Sequence, residues 1–188
     1  MEVKVNLGIL AVLGVVWVSL TLAEPTAAMD PASEATRALT ELEDRFAADR
    51  DDPALAEQLA DVYLDLDRPE LAIAALSVAE ADVVSDPGVA HRLARAYEQT
   101  SRLEDALATA ESALARCGRA IGTRDASSLT PIPERGCSER TYASLEMHHA
   151  ALARMHAWGV TDPRRDPRAH RAYALSVRAA RIVSASAQ

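Results

Sequence analysis

The chain repeats itself at a fixed interval. Displacing the sequence by 34 residues lays Pro53 on Pro87, Leu59 on Leu93, Ala60 on Ala94 and Tyr63 on Tyr97. In the same register Glu70 falls on Glu104, Ala72 on Ala106 and Ala79 on Ala113. The two units are PALAEQLADVYLDLDRPELAIAALSVAEADVVSD and PGVAHRLARAYEQTSRLEDALATAESALARCGRA. Within each, the Leu-Ala pair and the Tyr share one face of a first helix, and the two alanines lie two turns apart on a second. Methyl-sized side chains there let antiparallel helices approach closely, and a larger residue would overpack the contact by ~1–3 kcal/mol. Asp52 and Asp86 stand where N-caps belong. Pro53 and Pro87 follow them at the first helical position, where a missing N–H costs nothing. A helix pair of this kind cannot bury its own apolar face, so neighbours must stack on both sides.

The period, and the Leu, Ala and Tyr positions within it, resemble the tetratricopeptide repeat family. Ala56 and Ala90 replace the family's first-helix aromatic, and Leu76 and Ala110 its second-helix aromatic. The resemblance covers these two units well and their flanks poorly. It implies an all-α fold, a right-handed stack of antiparallel helix pairs, or α-solenoid. The flanks supply the neighbours. Residues 32–49 carry Ala35, Leu39, Leu42 and Phe46 at helical spacing, which predicts a capping helix. Residues 138–158 predict a long helix with Leu145, Leu152 and Trp158 among its apolar positions, closed by Gly159. A turn over 161–167 follows, then a last helix over 168–183, where Ala172 and Ala179 repeat the spacing of seven. These read as a third, lengthened unit. The repeat domain would span 32–184 and leave 185–188 as a frayed tail.

Residues 7–23 (LGILAVLGVVWVSLTLA) form an uncharged run ahead of this domain. As a helix it would span about 25 Å, slightly less than a ~30 Å hydrocarbon core. Lys4 precedes it, and Glu24 and Asp30 follow, which keeps the start inside and sends the rest out. Thr21-Leu22-Ala23 offers the small residues that a signal peptidase reads. Residues 1–23 are expected to be an N-terminal hydrophobic helix, either a cleaved signal peptide or a membrane anchor, with 24–31 a linker. The expected location is exported, periplasmic or otherwise extracytoplasmic, soluble after cleavage or anchored in the inner membrane. Membrane contact would then come only through 7–23, if they are retained.

The only two cysteines, Cys117 and Cys137, stand at the mouths of a stretch, 118–136, that ordinary repeats lack. Gly118, Gly122, Pro131, Pro133 and Gly136 make it irregular. In an exported chain this placement predicts a disulfide. Closing such a loop stabilises by about 3 kcal/mol. Long ordered loops frequently bind, so the insertion is also a candidate contact.

Charge excludes one class of partner. From Asp30 to Arg116 there are 20 acidic residues and 8 arginines, whereas from Cys137 onward there are 8 arginines and 4 acids. An acidic front and a basic back do not make the continuous basic face of a nucleic-acid binder. The histidines are His91, His148, His149, His156 and His170. His149 and His156 share a face with Leu145 and Leu152, but metal pairs on a helix need a spacing of three or four. No catalytic or phosphate-binding motif appears. The expectation is a non-enzyme with no cofactor and no metal.

The resemblance also implies where a partner would lie. In such arrays the first helices line a groove, and the matching positions here are Glu57, Asp61 and Asp65, then His91, Arg95 and Gln99. Each triple recurs every four residues and so forms one stripe. The acidic stripe favours a protein or peptide partner carrying positive charge. Gln58 and Asp61 depart from the set with which the family's carboxylate-clamp subgroup captures acidic chain ends. The leading expectation is an extracytoplasmic interaction scaffold. The competing one is a metal- or ligand-binding module, or an enzyme, using the His148–His156 helix and the insertion.

Overall fold

The computed structural model describes residues 33–122 and 137–186, and every regular element among them is an α-helix. They are α1 (Glu34–Ala48), α2 (Pro53–Asp65), α3 (Pro69–Leu76), the single-turn α4 (Ala81–Val84), α5 (Pro87–Gln99), α6 (Leu103–Gly122), α7 (Glu139–Ala157) and α8 (Pro167–Ser186). The expected export segment 1–23 and linker 24–31 lie outside the described residues. Among the described ones no helix is long and apolar enough to cross a membrane. The chain divides at Ala38 into two units. Of the first, residues 33–38 open α1, where Ser33 Oγ accepts the Thr36 amide at 3.1 Å. The second, from Leu39 on, carries the packed helices.

Caps fall where the repeat places them. Asp52 accepts the Ala54 amide at 2.8 Å, and Asp86 accepts those of Gly88 and Val89, each with proline opening the helix. Each satisfies donors that the first turn leaves orphaned. Ser138 caps α7 through the Thr141 amide at 3.0 Å.

The hairpin turns repeat at the level of individual hydrogen bonds. Asp67 and Ser101, 34 residues apart, both take positive φ (56° and 61°). Around them Arg68 N–H donates to Tyr63 C=O and Arg102 N–H to Tyr97 C=O, both at 2.8 Å. Asp67 N–H donates to Leu64 C=O and Ser101 N–H to Glu98 C=O, at 3.1 and 3.0 Å. This pair of bonds about a left-handed residue is the Schellman ending. It recurs at Gly159 (φ 65°), with Val160 N–H on Met155 C=O and Gly159 N–H on His156 C=O, both 3.0 Å.

The longer helices from α2 on pack in chain order, past the single-turn α4: α2 on α3, α3 on α5, α5 on α6, α6 on α7 and α7 on α8, with α2 also on α5. Three apolar clusters result. Phe46, Leu55, Leu59, Tyr63, Leu76 and Val89 lead the first; Ala94, Ala106, Ala110, Leu152 and Met155 the second; Ala90, Ala113, Leu145 and the two cysteines the third. Helix α5 contributes to all three, which leaves only one narrow strip of it for polar residues. Cys117 and Cys137 are buried with their Cα atoms 5.4 Å apart and their sulfurs at disulfide distance.

Four expectations need correction. Ala72 and Ala79 do not share a helix, because α3 ends at Leu76 and Ala79 lies in the link to α4. There the Ser77 hydroxyl donates to Ala74 C=O, offering the backbone a local alternative to helix, and Val78 and Val83 are β-branched. The irregular stretch begins later than Gly118, since α6 runs on to Gly122. A helical glycine costs only ~1 kcal/mol, and buried Cys117 holds the helix against Leu145. The last helix reaches Ser186, beyond the expected 183, and buries Ala169, Ala172 and Ser176 while Ala179 is exposed. In α7 the buried positions are Leu145, His148, Ala151, Leu152 and Met155; His149 is half-buried and His156 exposed. The apolar face is therefore centred one residue away from the histidines singled out on sequence.

Candidate functional site

The strip of α5 left outside the core carries His91, Arg92, Arg95, Glu98 and Gln99, none of them fully buried. Facing it from α2 are Glu57 and Asp61. The Arg92 side chain bridges the two carboxylates: Nη1 lies 3.1 Å from Glu57, while Nε and Nη2 donate to Asp61 at 3.2 and 3.0 Å. Arg95 approaches Asp61 at 3.7 Å and is 41% exposed. The acidic stripe predicted on α2 is thus largely neutralised from within the fold, and only Asp65 of that triple is fully exposed. Burial lifts the Glu57 carboxyl above its ordinary range despite the Arg92 charge beside it. Glu57 also sits against the Gly88 Cα, where a β-carbon would collide with its carboxylate.

The second triple is brought together with His148, which the competing reading named, and with residues that the sequence did not mark. His91 lies 5.2 Å, centroid to centroid, from the His148 ring of α7. Burial first, then the neighbouring His148, Arg92 and Arg95, pulls the His91 pKa down to about 4. His148 Nε2 is 3.0 Å from Glu98 Oε2, and the Tyr173 hydroxyl of α8 donates to the same oxygen at 2.6 Å. Burial, followed by the Glu98 charge, pushes the Tyr173 phenol well above its usual range. Arg95, Glu98 and Gln99 then line a recess of about 280 Å³ with Pro163, Arg164 and Tyr173. The Gln99 side-chain oxygen is buried there with no hydrogen-bond partner in the fold. Arg164 donates to Asp67 at 2.5 and 2.7 Å, joining the wall of the recess to the α2–α3 turn.

Five of the six predicted positions, all but Asp65, have this setting in common: two are ion-paired across α2 and α5, and three border the buried histidine or the recess. Arg92, not singled out above, was within reach of the sequence, because it is 35 residues after Glu57 and 31 after Asp61, the offsets that a 34-residue repeat brings side by side. Glu98, His148, Tyr173 and Arg164 were not, because the insertion hides the register of the third helix pair. His149 and His156 do not converge: seven residues along one helix separates them by ~10.5 Å. Another recess, of about 440 Å³ between Asp51, Asp82, Asp86 and Arg116, shares no residue with the predicted stripe.

The site thus belongs to an all-helical chain of consecutively packed helices that presents a polar strip and recess. None of the family models, curated proteins or solved structures compared with the chain matches it.

Proposed function

We propose that the chain is an extracytoplasmic, tetratricopeptide-like scaffold that binds a protein or peptide along the α2–α5 strip and the recess beside it. The observation that carries this reading is the recurrence of the Schellman turn at Asp67 and Ser101, one repeat apart, with the Tyr63 and Tyr97 carbonyls in the same role. Repetition of the turn, together with α2 packed on α5, supports a common orientation of successive first helices and a shared polar edge. A solenoid of helix pairs is the arrangement that such repetition builds. The buried cysteine pair at disulfide distance supports an oxidising, extracytoplasmic setting.

Internal pairing of Glu57 and Asp61 alters the expected partner chemistry. Asp65 is exposed, and Arg95 reaches solvent beside its partner Asp61, so the surface is mixed rather than acidic. Crosslinking with mass spectrometry in the producing cells tests the reading. Arg95→Glu and Asp65→Arg should remove a defined set of partner crosslinks while leaving the fold, followed by circular dichroism, intact. A crosslink set identical in wild type and both variants would refute the assignment of this face.

A further inference from the structure

We propose that His148 and His91 form a two-histidine site for a divalent transition-metal ion of the Zn²⁺ class, completed by solvent ligands. The starting point is a nitrogen with nothing to do. The His148 side chain is 5% exposed, its Nε2 faces Glu98, and its Nδ1 is buried without a partner. The Glu98 carboxylate can only accept, so Nε2 donates to it and Nδ1 is left as the ring nitrogen open to a ligand. Leaving such an acceptor unsatisfied is costly, so its retention requires a reason.

The surroundings are those of a metal ligand. A metal-binding imidazole usually donates its other ring N–H to a carboxylate, which fixes the tautomer and orients the ring. Glu98 occupies that position, and Tyr173 in turn holds Glu98 through the same oxygen. A second imidazole is at hand: the His91 ring lies 5.2 Å away, tilted by 57°. Two imidazoles on one tetrahedral ion, each with a metal–nitrogen bond of ~2.0–2.1 Å, place their ring centres about 5 Å apart. The local charge also admits a cation. Arg92 and Arg95 are the guanidiniums beside His91, and they are met by Glu57 and Asp61, while Glu98 faces His148. These three carboxylates outnumber the two guanidiniums by one. This site differs from one on His149 and His156, which are too far apart to share an ion, and it stands whether or not the α2–α5 strip binds a protein.

The test uses the purified full chain in mild detergent at neutral pH, with Zn²⁺ and Co²⁺ as probes and thermal melting and visible absorption as readouts. Zn²⁺ should raise the melting temperature of the wild type and of His149→Ala and His156→Ala, reversibly with chelator. His91→Ala should abolish the shift. Glu98→Gln should weaken Zn²⁺ binding about 10–100-fold. Co²⁺ should give imidazole-dependent visible bands in the same variants that respond to Zn²⁺. His148→Asn alters the core, so its folding is checked by circular dichroism; the half-exposed His91→Ala decides the matter without it. No Zn²⁺-dependent shift in the wild type would overturn the proposal. So would a shift that persists in His91→Ala or disappears equally in His149→Ala and His156→Ala.

Discussion

At the scale of single residues, the backbone stores strain where the repeat turns. Ser101 holds a positive φ that costs an L-residue roughly 1–2 kcal/mol, and Gly159 holds the equivalent conformation freely. Ser101→Gly should therefore raise the urea midpoint by an amount equivalent to about 0.5–1 kcal/mol, net of the added chain entropy of glycine. Gly159→Ala should lower it by roughly 1 kcal/mol or more. Nothing lies within 4 Å of a β-carbon at Gly159, so the whole cost there is conformational. Neither Asp67 nor Ser101 announced itself in sequence, since left-handed helix ends are expected at glycine or asparagine. A second residue-scale consequence concerns acid. Because His91 is held near 4, below its ordinary 6.5, unfolding takes up a proton across that window. The stability contributed by the neutral ring is whole above about pH 6.5 and falls away toward pH 4, by on the order of 2–3 kcal/mol. In metal-free buffer His91→Gln should flatten this part of the stability–pH curve. An unchanged slope would place the acid-sensitive group elsewhere.

At the scale of elements, the helices whose register the 34-residue period fixes were the legible ones. The caps at Asp52 and Asp86, the buried Tyr63 and the alanine contact at Ala106 and Ala113 follow from spacing alone. The second helix of the first unit was not legible beyond Leu76, because local hydroxyl bonds and β-branched residues compete there with a pattern that permitted more helix. In α7 the apolar residues alone fit two neighbouring faces, and packing against α6 and α8 chose the one that buries His148. Leu152, fully buried between these helices, should cost about 2–5 kcal/mol on truncation to alanine. The cysteines join the end of α6 to the start of α7. Reduction of the pair should lower unfolding stability by about 3 kcal/mol, from the loop of 20 residues it closes. Alkylation before reduction should label neither thiol. Labelling of both in the native protein would remove the covalent link from the account.

At the scale of the whole molecule, apolar clusters shared between consecutive helices hold the fold, and surface charge adds little. The Arg164–Asp67 pair connects turns 97 residues apart, but its side chains are 47% and 68% exposed, which limits it to about 1 kcal/mol. The same turn conformation recurs at Gly159, 58 residues after Ser101 rather than 34, so it is visible in the backbone and not in sequence register. For the same reason the recess bounded by Tyr173 and Arg164 could not be assembled from the period. The stripe that the resemblance implied, His91, Arg95 and Gln99, is where the packed helices leave polar groups and a partnerless Gln99 oxygen. The most direct measurement of the central claim, a partner seated on this edge, is photocrosslinking in the producing cells from a probe residue at position 95, compared with one at the exposed position 115 on α6. The account predicts discrete protein adducts from position 95 and none from 115. Equal adducts from both, or none from 95, would contradict it.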